Sequence, residues 1–91
     1  MESKIKIGDY VSRWDKNEAF KVVGILSKDC ILIKTGKKYH GSWKMCENLQ
    51  DFNEYISVDM KEISEDAYYY ICVVRLCTRV NINNKIKKIE I

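Results

Sequence analysis

His40 is the single histidine of this 91-residue chain, so any imidazole-based acid–base or nucleophilic chemistry would have to run through it. Its neighbours Tyr39, Gly41 and Ser42 supply no catalytic spacing, and Cys46 would need a third orienting group to act with it. There is no G-x-x-x-x-G-K phosphate loop, no G-x-G-x-x-G and no H-x-E with paired cysteines, and four glycines are few from which to build a phosphate cradle. The four cysteines, Cys30, Cys46, Cys72 and Cys77, match neither a secreted disulfide framework nor paired C-x-x-C zinc knuckles. Cys30 and Cys72 sit in apolar runs, DCILI and YYICVV, where a free thiol packs as a small hydrophobe. A protein that is not an enzyme, with no cofactor and no metal, is therefore expected; a metal or redox role for the cysteines is the third alternative.

Binding chemistry is better represented. Tyr10, Trp14, Tyr39 and Trp43 lie on the first and fourth expected strands, with Phe20 opening the second, and Arg13, Lys34, Lys37, Lys38 and Lys44 are interspersed. Rings that stack on bases and cations that meet phosphates are what a single-stranded nucleic acid groove uses. The same rings could form a cage for an alkylated ammonium, or the anchors of a protein interface.

The elements that must position these residues read as β throughout. Ile5 to Trp14 alternates like a strand, interrupted by Asp9 and by Gly8, which marks a bulge or sharp bend. Turn residues in DKNEA lead to FKVVGILS, Lys28-Asp29 to CILIKT, and Gly36-Lys37-Lys38 to YHGSWKM. Behind Asn48, a competent N-cap, Leu49, Phe52 and Ile56 allow a short helix. YISVDMKEI alternates as a strand, against a competing capping box at Asp59 and Glu62. YYYICVVRLCTRV, with three tyrosines and β-branched residues, reads as one long strand, and Asn83-Asn84 turns the chain into KIKKIEI at a sheet edge. The expectation is a single domain over residues 1–91, built from a four-strand meander at 5–45 and a three-strand meander at 55–91.

IKIGDYVSRW, FKVVGIL, CILI and YHGSWKMCENL together resemble the opening of small SH3-like barrels of the Tudor, chromo-like and KOW type, over about residues 5–49. The resemblance implies a curled barrel whose aromatic end docks peptides, modified lysines or nucleic acid, with Tyr10, Trp14, Tyr39 and Trp43 as the positions carried over. The segments after Leu49 exceed the one closing strand such a barrel needs. The fold class expected is mainly β, an SH3-like, partly open antiparallel barrel with an added C-terminal β-meander and at most one short helix.

Charge is unevenly spread: ten Lys/Arg face five Asp/Glu up to Met45, and three face seven from Cys46 to Val80. A basic face opposite an acidic middle would attract a polyanion. The first functional reading is a binding module for nucleic acid or a nucleic-acid-handling protein. The alternative is a small phage- or mobile-element-encoded inhibitor of a host defence complex, of the anti-CRISPR type. Glu47, Asp51, Glu54, Asp59, Glu62, Glu65 and Asp66 would then imitate phosphates. No apolar run approaches the ~20 residues of a membrane span, and MESKIKIGD lacks the apolar core of an export leader, so a cytoplasmic protein is expected. KIKKIEI offers an edge on which a second copy could pair as a homodimer.

Overall fold

The computed structural model describes residues 4–80. Seven strands, all antiparallel, form one open sheet: β1 (Tyr10–Arg13), β2 (Phe20–Ile25), β3 (Cys30–Thr35), β4 (Lys44–Met45), β5 (Ser57–Val58), β6 (Tyr68–Val73) and β7 (Cys77–Val80). Their lateral order is β4-β6-β3-β2-β1-β7, with β5 pairing the second half of β2. Among the described residues the remaining regular structure is three short 3-10 turns, at Leu49–Glu54, Met60–Glu62 and Val74–Leu76. The chain is thus mainly β, and no helix among the described residues is long and apolar enough to cross a membrane.

Both faces of the sheet are covered, which explains why its central strands read as nearly continuous apolar runs. On the inner face Val11, Phe20, Val22, Ile31, Ile33, Tyr70 and Cys72 pack with Trp43. On the outer face Val23, Leu32 and Tyr69 pack with Phe52, around which Leu49, Tyr55, Val58, Ile63 and Ala67 gather. Residues 46–67, inserted between β4 and β6, supply most of that second layer. One backbone irregularity serves both cores. The register between β2 and β3 slips between Val22 and Gly24. Val23 and Gly24 thereby both face the outer layer, where Val23 joins the cluster, and Ile25 returns to the inner one opposite Ile31.

Several expected elements differ in extent or pairing. β1 starts only at Tyr10, because Gly8 takes φ +100° and turns the chain. Asp9 secures that turn, its Oδ2 accepting from the Lys6 amide at 2.9 Å. YHGSWKM contributes only Lys44–Met45 as strand, since Gly41 at φ +84° breaks its first half, and this strand pairs with β6 rather than β3. The N-terminal meander therefore comprises β1, β2 and β3 alone. YYYICVVRLCTRV is not one strand: the 3-10 turn at Val74–Leu76 splits it, so β6 pairs β3 while β7 crosses to β1. The C-terminal segments consequently join the first sheet instead of forming a meander of their own. Asn48 caps its turn as expected, its side chain accepting from the Gln50 amide at 3.1 Å. Asp59 caps too, but the turn it opens ends at Glu62. The Asn83-Asn84 turn, the KIKKIEI strand and the edge-to-edge homodimer lie outside the described residues.

Candidate binding surface

Trp14 follows the last residue of β1 and is 72% exposed, the most exposed of the aromatic side chains among the described residues. Its backbone is nevertheless anchored: the Trp14 amide donates to the Leu76 carbonyl at 3.2 Å, continuing the β1–β7 pairing by one bond. Leu76, 37% exposed, and the exposed Arg75 stand on the facing 3-10 turn. An exposed indole carried on backbone that is already paired offers a partner a stacking surface with no further ordering of the main chain.

Trp43 has the opposite fate. Its ring is 8% exposed, stacks on Tyr39 at 4.2 Å between centroids, and meets Phe20 and Tyr70 edge-on at 5.5 and 5.1 Å. Arg13, 7% exposed, lays its guanidinium over the same ring at 3.9 Å from the centroid. Asp15 ties the two together. Its Oδ2 accepts from Trp43 Nε1 and from Arg13 Nη2, both at 3.2 Å, while Arg13 Nε approaches Oδ1 at 3.1 Å without hydrogen-bond alignment. Trp43 and Arg13, expected to meet a ligand, are instead interior parts of the inner core, because the 36–43 loop folds back over the sheet. Tyr70 holds that loop, its hydroxyl accepting from the Tyr39 amide at 2.7 Å.

Tyr39 sits at the boundary between core and solvent. Its hydroxyl donates to Glu18, whose other carboxylate oxygen pairs with Lys37 at 3.3 Å. Burial, reinforced by the neighbouring Glu18 carboxylate, pushes the Tyr39 phenol well above its ordinary range, and the phenol's hydrogen bond pulls Glu18 below the usual carboxylate value. Lys16 and Lys37 hold their ammonium groups 5.0 and 5.6 Å from the Tyr39 ring centroid. Beside this ring an open cleft of about 630 Å³ is lined by Phe20, Tyr39, Lys34, Lys37 and Glu18, among others.

The other expected positions divide. Lys34 is engaged, donating to the Glu62 carbonyl at 3.0 Å, while Lys21 pairs with the Glu62 carboxylate at 2.9 Å. Tyr10 is half-buried on the outer row, opposite Lys21. Lys38 and Lys44 are exposed, but Lys44 stands opposite Ile71 on the outer row, away from Tyr39 and Trp43. Of the acidic positions, Asp51 accepts from Asn48, Asp59 caps a turn and Glu62 clamps two lysines. Glu47, Glu54, Glu65 and Asp66 are exposed. Sequence reasoning missed Asp15, Glu18, Lys16, Arg75 and Leu76. The only available signal was the position of Asp15 directly after Trp14, which reads equally as a turn former.

Compared with protein-family models, curated proteins and solved structures, the chain matches none.

Proposed function

We propose that this chain is a non-enzymatic, SH3-like binding module that engages single-stranded nucleic acid, or a protein that handles it, through a basic and aromatic face. The observation that carries this reading is Trp14, held by its backbone yet 72% exposed. Charge supports it: outside the 46–67 insertion, residues 4–80 hold twelve Lys/Arg against four Asp/Glu. The strand path β6-β3-β2-β1-β7, with a 3-10 turn before the last strand, supports the barrel likeness. The docking face differs from the one the sequence suggests. It is centred on Trp14 with Leu76, Arg75 and Lys16, and extends through Lys37 and Lys38, while Tyr39 and Trp43 stiffen the floor.

Fluorescence makes the test direct, because Trp14 is exposed and Trp43 buried. A single-stranded oligonucleotide should quench the solvent-exposed tryptophan emission at low salt, with an affinity that falls steeply as salt rises. Trp14→Ala should weaken binding by about 1–3 kcal/mol, as expected for one lost base stack, without changing Tm. Absence of binding at low ionic strength removes the reading.

One observation favours a second reading, the small inhibitor of a host defence complex. Seven carboxylates against Lys61 alone are gathered in the single insertion 46–67, and Glu47, Glu54, Glu65 and Asp66 are exposed there. On that reading oligonucleotides are ignored, and capture from a host lysate returns a nuclease or effector complex whose binding is lost in a Glu47→Lys, Glu54→Lys chain.

A further inference from the structure

Cys72 and Cys77 end up side by side although five positions separate them. Cys72 lies near the end of β6 opposite Ile31, Cys77 opens β7 opposite Arg13, and the 3-10 turn Val74–Leu76 reverses the chain between them. Their sulfur atoms are 2.6 Å apart, and Cys77 Sγ also lies 3.5 Å from the Val73 carbonyl. Cys72 is 3% exposed and Cys77 half-buried, so the pair sits under the turn with one sulfur toward its rim. Cys30 and Cys46, both half-buried, are free thiols without such a partner among the described residues.

We propose that Cys72 and Cys77 form a reversible dithiol–disulfide couple that staples β6 to β7. Two free thiols whose sulfurs already touch are placed to be bridged. The chemistry of the pocket favours the reaction. The hydrogen bond from Cys77 draws the Cys72 thiol below its ordinary range, helped by the Arg13 guanidinium, whereas Cys77 is pushed up by the same contact. Of the two protons, that of Cys72 is thus the first to leave. The oxidant is a small-molecule disulfide, RS–SR. The thiolate of the pair attacks one sulfur of RS–SR, a mixed disulfide forms and RS⁻ leaves, taking up a proton. The second cysteine then loses its proton and attacks the mixed disulfide at the protein sulfur, closing the Cys72–Cys77 bond and releasing the second RSH. Two protein thiols are oxidised and one reagent disulfide is reduced to two thiols.

Closure would act on the rim as well as the core. Leu76, within the closed loop, accepts the Trp14 amide, and β7 holds β1 along its whole length. The staple would therefore fix the turn that faces the exposed indole.

The test uses the full chain incubated with a small-molecule disulfide, then blocked with an alkylating reagent and digested with trypsin. The expected result is a loss of the mass of two hydrogens, protection of two of the four thiols, and a linked pair of peptides, Glu62–Arg75 with Leu76–Arg79. Tm should rise by roughly 10 °C and return on reduction. Cys77→Ser should show neither the linked peptides nor the reducible rise. If that variant fails to fold, the peptide mapping of the natural chain decides alone. Four thiols left free, mixed disulfides only, or a link from either cysteine to Cys30 or Cys46 overturns the proposal.

Discussion

Asp15 does more for this structure than its place in a surface turn suggests. One carboxylate accepts from the buried Arg13 guanidinium and from the Trp43 indole, so it balances a charge and satisfies the one polar atom of a core tryptophan. Asp15→Ala should therefore destabilise the fold by about 2–3 kcal/mol, read as a lower urea midpoint at unchanged slope, because a buried cation loses its counter-ion. Asp15→Asn, which keeps the indole's acceptor, should cost less. Equal losses in both variants would show that Arg13 draws nothing from the charge. Neighbouring Trp14 provides the contrast, since truncating an exposed side chain away from the core stays within about 0.5 kcal/mol. None of this distinction between Trp14 and Trp43 was legible in sequence. Both lie among lysines and turn residues, and only the path of the 36–43 loop separates them.

At the scale of elements, β2 carries the irregularity on which two cores depend. Gly24 stands where β2 is paired on both sides, by Leu32 of β3 and Val58 of β5. A Cβ built there would lie 3.1 Å from Val58 Cγ2 and 3.3 Å from Leu32 Cβ. Leu32 is fully buried and cannot yield, whereas Val58 is half-buried. Gly24→Ala should cost about 1–3 kcal/mol by overpacking. Combined with Val58→Ala, which removes the nearer methyl, it should cost at least about 0.5 kcal/mol less than the two single changes summed, in a double-mutant cycle on denaturation midpoints. Strict additivity would mean that the strain falls on Leu32 instead. The strand and turn chemistry around Gly24 was readable: FKVVGIL and CILIKT are β-branched runs joined by a polar turn. The identity of each strand's neighbour was not, because pairing of β4 with β6 and of β7 with β1 spans loops whose closure leaves no local signature.

For the molecule as a whole, the charge imbalance becomes spatial. The basic sheet carries on its outer face an insertion in which seven carboxylates oppose one lysine, and Glu62 is the clasp, its carboxylate on Lys21 and its carbonyl on Lys34. Glu62→Gln keeps the backbone contact and removes the ion pair. Hydrogen exchange of residues 46–67 should quicken in this variant while β1, β2 and β3 exchange as before, with the difference shrinking as salt rises. A partly exposed pair of this kind is worth no more than about 1 kcal/mol, so global stability should hardly move. Uniform acceleration across the sheet would show instead that the insertion and the sheet open as one unit.

Although the turns at Met60–Glu62 and Val74–Leu76 read as strand, composition and alternation by themselves determined that the chain is mainly β, that polar turns separate β1, β2 and β3, and that Asn48 caps a short turn. Each of these rests on interactions within a few residues, and side-chain alternation is a local property of extended backbone. Tertiary structure alone decided which strands are neighbours, which of the two tryptophans is core, that residues 46–67 roof the outer face, and that Cys72 meets Cys77. The physical reason is common to all four. They follow from closing long loops over a sheet that must bury both faces, and that requirement is set by the whole collection of apolar side chains at once, not by any segment of them.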